Sequence, residues 1–408
     1  MEEKPVIQRI GEAEQKYVNE VLASQFANSK NVGMLGRLEK AFADKFETKY
    51  AVAHTNGTAT LHSALFAAGV RAGDEVITTP LTMAATCMAI MQADAVPIFA
   101  DVEENTYQID PKSIERLITP RTKAIMTVAL YGLSPDMDPI LDIARKHNLM
   151  VIEDDAQAFL SRYKGRMVGS IGQLSSFSLQ STKHITAGEG GVVCTADPDL
   201  ADVVRRFSVL GYASVSRAQG VITKDDIQNP NYERHSQMGY NYRMPELCAA
   251  VGLGQLERLE ELVQRRIDVA NLFIDAISSC DWLVPQVVGA DYVHSYWAFA
   301  PRLIHPDIAW IDFRKKFREL GGDGIYAAWK LSYQEPMFQE ATRNFSGKEK
   351  VFEATYKGEM QKYEAGLCSV AERIQKQILA FKTNYWDWDR AVKQAEVLKK
   401  TIEFYDKR

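Results

Sequence analysis

The sequence predicts an α/β protein built on a mostly parallel sheet, followed by a second, smaller domain. Three features predict this. Short β-branched or apolar runs alternate with helical patterns between residues 50 and 153, and such alternation lays parallel strands under helices on both faces. After residue 175 two strand-like runs flank a glycine-rich turn, which breaks the alternation. The 408 residues exceed what a single domain of roughly 100–200 residues holds.

In chain order, residues 12–23 read as an amphipathic helix with Tyr17, Val18, Val21 and Leu22 on its apolar side. Residues 35–46 read as a second. A β-like run at 50–54 is followed by Asn56-Gly57-Thr58 and a helical stretch over 59–68. The next β-run, 75–79, leads into a helical stretch at 81–91. Further runs at 96–101, 124–129 and 150–153 have helical patterns between them, for example 140–147. Strands at 175–179 and 191–195 suggest a hairpin-like crossing. Residues 213–234 are polar and read as a surface excursion. One long amphipathic helix over 245–266 leads out of the large domain, which spans 1–260, and 261–408 form the small one. The chain ends in a charged helix over 386–405, with Val392, Val397, Leu398, Ile402 and Tyr405 apolar.

The net charge of −5 supplies no basic surplus for nucleic acid. The N-terminal residues lack an apolar core segment, so no signal peptide is expected. The apolar stretch at 81–93 falls short of the ~18 residues of a membrane span. Five cysteines without a CxxC pair read as free thiols in a reducing cytoplasm. His54 and His62 lack metal-ligand spacing.

Three segments carry chemistry. Asn56-Gly57-Thr58-Ala59 follows a strand and opens a helix; its amides and the Thr58 hydroxyl suit a phosphate, or Thr58 is an ordinary helix cap. Glu153-Asp154-Asp155-Ala156-Gln157 ends another strand. An aspartate there holds a pyridinium N–H, caps a helix, or shares a Mg²⁺ with its neighbour. Lys183 stands between two strands, ahead of Gly188-Glu189-Gly190-Gly191, an unusual place for a solvated charge. In a closed pocket its amine loses its proton and attacks an aldehyde.

In this order the three segments resemble the DegT/DnrJ/EryC1/StrS family of sugar aminotransferases. The stretches Ala93-Asp94-Ala95-Val96-Pro97, Leu130-Tyr131-Gly132, Gly169-Ser170-Ile171-Gly172, Gly239-Tyr240-Asn241-Tyr242-Arg243-Met244 and Gly252-Leu253-Gly254-Gln255-Leu256 extend the resemblance over about residues 10–270. It implies the aspartate-aminotransferase-like fold type I: a mostly parallel seven-stranded sheet in a large domain, with a smaller C-terminal α+β domain. It also implies pyridoxal 5'-phosphate as cofactor. Lys183 would form a Schiff base with it and shuttle protons, Asp154 would pair with its pyridine nitrogen, and Gln157 would lie against its ring. Gly57, Thr58, Ala59 and Ser178 would hold its phosphate, and Asn241 would reach the phosphate held by the other subunit of a homodimer. The substrates implied are L-glutamate as donor and a keto-sugar as acceptor, either a nucleotide-linked keto-hexose, a free cyclitol or a keto-octulosonate.

Two positions depart from the family. Met83 stands where an aromatic residue often covers the ring, and a thioether still packs on a π-face. Ala129 stands where histidine is frequent. Relatives that act as sugar dehydratases carry histidine in place of the lysine, so His184, next to Lys183, keeps that activity as a rival reading; a non-catalytic regulator would lack the lysine or aspartate. His294, Tyr296, Trp297 and Trp329 fall where the family builds its sugar pocket. Tyr385-Trp386-Asp387-Trp388 is expected to pack against the small domain.

Overall fold

The computed structural model describes residues 4–26, 33–215, 224–339 and 361–407. A seven-stranded sheet organises the first part of the chain. Its strands are β1 (Tyr50–His54), β2 (Glu75–Thr78), β3 (Val96–Phe99), β4 (Thr122–Val128), β5 (Met150–Asp154), β6 (Leu174–Ser178) and β7 (Gly191–Thr195). They lie in the order β1-β7-β6-β5-β4-β2-β3. Every pairing from β6 to β3 is parallel, and β7 alone runs antiparallel, to both β1 and β6.

Side-chain alternation explains why both faces are covered. Ile77, Ile125 and Val151 point to one face and meet Ile114, Ile140 and Ile143 of two helices. Val76, Met126 and Ile152 point to the other and meet Leu61, Leu65 and Ile90. Burying each such aliphatic chain contributes roughly 1.5–3 kcal/mol.

The long helix expected over 245–266 is two helices, Glu246–Glu257 and Leu259–Ile277, broken at Arg258 (φ −110°, ψ 13°). The break turns the Arg258 guanidinium onto the N-terminal segment, where it donates to the Gln8 carbonyl at 2.7 Å. The helical pattern at 81–91 becomes helical only at Ala85. The last helix starts at Trp388, because the Asp387 side chain accepts from Asp389 N and Arg390 N and caps it. Of the excursion at 213–234, residues 216–223 lie outside the described residues. The remainder is mostly exposed from Asp225 onward.

A second core gathers Phe273, Phe299, Phe313, Phe381, Trp388 and Leu398. Its small sheet pairs Leu379–Lys382 with Ala298–Phe299 and Tyr326–Ala327, both antiparallel. A third cluster ties it to the large sheet, joining Leu81 and Phe99 to Leu331, Tyr333 and Phe338. The Tyr385–Trp388 stretch packs as expected only in part: Tyr385 and Trp388 are buried in the second core, whereas Trp386 lies against the first, beside the large sheet.

Candidate active site

A cavity of about 1130 Å³ opens beyond the carboxyl ends of β1, β5 and β6, the place where parallel sheets hold ligands. It is lined by Gly57, Thr58, Ala59, Met83, Asp154, Gln157, Ser178 and Lys183. The strands thus bring together eight of the nine residues singled out in the sequence. Asn241 is the exception. It is exposed, bridges to Val209, and does not line its own chain's cavity.

The turn after β1 opens the helix Gly57–Ala67. Asn56 caps this helix, its Oδ1 accepting from Ala59 N at 2.8 Å, so Thr58 is not the cap. The amides at the first two helical positions, Gly57 and Thr58, have no intrahelical acceptor, as in any helix start, and they favour an anion. Glycine is required at 57: a Cβ there would stand 2.8 Å from the Cβ of Ser178.

Asp154 ends β5. It is buried, and Thr86 Oγ1 donates to its Oδ2 at 2.8 Å while Ala156 N reaches its Oδ1 at 3.3 Å. Burial pushes its carboxyl above the usual range, against the pull of the Thr86 hydroxyl and Lys183. Asp155 points elsewhere. It does not line the cavity, its Oδ2 is buried without a partner, and burial beside Glu153 and Asp154 holds it well above an ordinary carboxyl. The two aspartates therefore do not converge on one metal. Gln157 is fixed by accepting from Tyr131 N at 2.8 Å. Tyr131 adopts φ 62°, and its ring lies parallel to Trp297.

Lys183 follows β6 on a turn closed by its N–H to Gln180 O, at 2.9 Å. Its Nζ stands 5.0 Å from the centre of the Trp297 ring. Burial lowers its pKa to about 8, with Asp154 opposing and Arg266 reinforcing the drop. His184 faces away from the cavity. Its Nε2 lies 3.0 Å from Ser295 O, its ring lies against Phe159, and burial keeps it neutral. The dehydratase reading, which needs a histidine at the lysine's place, has no geometric support.

Of the four residues expected around the sugar, Trp297 and Trp329 line the cavity, stacked with ring centres 5.9 Å apart. His294 and Tyr296 do not line it. His294 is buried between Gln286 Oε1, 3.2 Å away, and Tyr296 N, 2.9 Å away, and the two rings stack on each other. Ala129 is buried against Ala158 and Val168, also outside the cavity. Thr86, Tyr326 and Arg266 line it without having been singled out in the sequence, as does Tyr131, which the sequence marked only as part of a family stretch and gave no role. Among the described residues no helix is long and apolar enough to cross a membrane, and no group of three potential metal ligands converges.

Comparison with known proteins agrees with this geometry. The chain is 41% identical over 284 residues to GDP-perosamine synthase of Escherichia coli O157:H7, covering 70% of this chain and 73% of that one. It is 39% identical over 287 residues to the spore coat polysaccharide biosynthesis protein SpsC of Bacillus subtilis, covering 70% and 72%. An aminotransferase from Psychrobacter cryohalolentis, solved by X-ray, superposes with a TM-score of 0.83 at 28% identity over 99% of both chains. Residues 8–361 match the DegT/DnrJ/EryC1/StrS aminotransferase family. The chain belongs to that family, and is an aminotransferase of fold type I that depends on pyridoxal phosphate.

Proposed function

We propose that this enzyme takes an amino group from L-glutamate and places it on the keto carbon of a nucleotide-linked hexose. One observation carries the reading: a lysine amine with a pKa near 8 faces a buried carboxylate across a cavity that continues to an aromatic wall. The volume, about 1130 Å³, leaves room for a substrate beside a cofactor. The Escherichia coli relative, a synthase of GDP-perosamine, supports a nucleotide-linked acceptor.

The donor set fits pyridoxal phosphate. The helix-start amides of Gly57 and Thr58, with the Thr58 and Ser178 hydroxyls, would hold the phosphate. Asp154, kept in place by Thr86, would keep the ring nitrogen protonated. Gln157 and Met83 would border the ring. When bound, the cofactor supplies an electron sink for the charge left at the amino-acid Cα. Lys183 Nζ would move a proton from that Cα to the cofactor in the first half and one from the cofactor to the sugar carbon in the second. Trp297, with Tyr131 parallel to it, would help shield the amine from water. Asn241, turned outward on its own chain, would serve the cavity of a second copy, so the working unit is a homodimer. The division into domains near residue 260 and a cytoplasmic setting complete the reading. The latter is supported by five free cysteines.

Purified protein should show a visible absorbance band that L-glutamate bleaches and a nucleotide-linked keto-hexose restores. Lys183→Ala should keep its circular dichroism and lose turnover by at least about a hundredfold. Wild-type turnover in that variant would overturn the reading. Restoration by a keto-octulosonate, but by no nucleotide-linked sugar, would overturn the acceptor.

A further inference from the structure

Lys183 is gripped from behind by two arginines from distant parts of the chain. Arg266, on the helix Leu259–Ile277, is 1% exposed. Its Nη2 donates to Lys183 O at 2.9 Å and Thr182 O at 3.0 Å, and its Nη1 to Trp297 O at 3.0 Å and Thr383 Oγ1 at 3.3 Å. Arg9, in the N-terminal segment, donates from Nη2 to the same Lys183 carbonyl at 3.1 Å. Both guanidinium groups lie against Trp386, 5.7 and 5.8 Å from the ring centre.

Among the described residues neither arginine has a carboxylate partner. A buried cation is ordinarily paired, because leaving its charge uncompensated is costly. Here only carbonyl, hydroxyl and indole dipoles solvate it, so its field reaches its neighbours little weakened. Arg266 borders the cavity, yet both its terminal nitrogens are already engaged with protein acceptors. It is therefore poorly placed to clamp a substrate carboxylate.

We propose that Arg266, seconded by Arg9, is a positioning residue for Lys183: it fixes the lysine's main chain through the carbonyl and stations a positive charge behind the amine, which favours the amine's uncharged form. The charged and titratable groups around Lys183 are Asp154 on β5, Arg266 on its helix, Arg9 on the N-terminal segment and the neutral His184 alongside, with Glu189 and Lys382 also bordering the cavity. Asp154 pulls toward the ammonium and Arg266 pushes against it, with Arg9 adding its charge to that of Arg266. The low pKa of the lysine has burial as its first cause and agrees in sign with the push from Arg266. The proposal rests on Lys183 being the reactive amine, which Lys183→Ala tests by itself.

The test needs neither substrate nor turnover. Full-length protein stripped of cofactor is pulsed with acetic anhydride between pH 6 and 10, and acetylation at Lys183 is read by mass spectrometry. Arg266→Gln keeps amide donors and removes the charge. It should move the labelling midpoint upward by about one pH unit, roughly tenfold less label at pH 7. Arg9→Gln, nearer the surface, should move it in the same direction by less, and stands in if the Arg266 variant does not fold. An unmoved midpoint in a folded Arg266→Gln protein would overturn the proposal, even if its turnover fell. So would an unmoved Arg9→Gln midpoint where the Arg266 variant is insoluble.

Discussion

Asp154 and Lys183 act on each other's protons across the cavity. Burial disfavours both charges; each favours the other's charged form. Removing the carboxylate therefore has two consequences of opposite kind. Asp154→Asn takes away the attraction that raises the lysine's pKa, so the amine should label at lower pH than the wild type, opposite to the Arg266 variant. It also takes away the group suited to a protonated ring nitrogen, so transamination should fall by about a hundredfold or more. Steady-state kinetics and the same acetylation profile check both; a profile moved upward would contradict the electrostatic account.

At the scale of elements, the turn after β1 sits directly on β7. A Cβ on Gly191 would lie 2.8 Å from the carbonyl carbon and oxygen of Asn56 and 2.9 Å from Gly57 N. Only glycine lets the antiparallel strand pass beneath that turn. Gly191→Ala should push the turn outward, which costs about 1–3 kcal/mol in strain and weakens cofactor binding by about tenfold. Urea unfolding and equilibrium binding of pyridoxal phosphate measure the two effects, and unchanged values in both would show that the turn is not seated as described.

For the molecule as a whole, His54 marks where the late chain closes over the first strand. Thr55 N donates to Tyr242 O at 2.8 Å, and His54 itself bridges to Arg243. Its ring nitrogens engage Val52 O and Ser63 Oγ, both at 2.9 Å, and burial lowers its pKa to about 4. An unfolded histidine takes its proton near pH 6.5. As pH falls below that value the unfolded chain gains a proton the folded chain refuses until about 4, so stability is lost across this window. The raised carboxyls of Glu153, Asp154 and Asp155 act in the opposite sense on acidification. The difference between wild type and His54→Gln isolates the histidine. That stability gap should narrow by about 2 kcal/mol between pH 7.5 and 5. A gap independent of pH would mean that the ring titrates normally.

The sequence alone determined the alternating architecture, because the period of apolar residues is set by which faces a strand and a helix must bury. It also singled out residues that the fold brings to one cavity. Thr58, Asp154 and Lys183 each stand at the end of a strand or just beyond it, where local pattern is informative, and Ser178 came from the family resemblance. Tertiary structure alone decided how those groups are tuned. The hydrogen bond from Thr86 to Asp154 spans 68 positions, and the grips of Arg266 and Arg9 on the Lys183 carbonyl span 83 and 174. An arginine on an amphipathic helix has the same local signature whether it meets water or the interior. The break at Arg258 was likewise hidden, since the apolar pattern runs through it. Burial depends on what packs opposite a residue, and that partner is chosen by the closed fold rather than by neighbours along the chain.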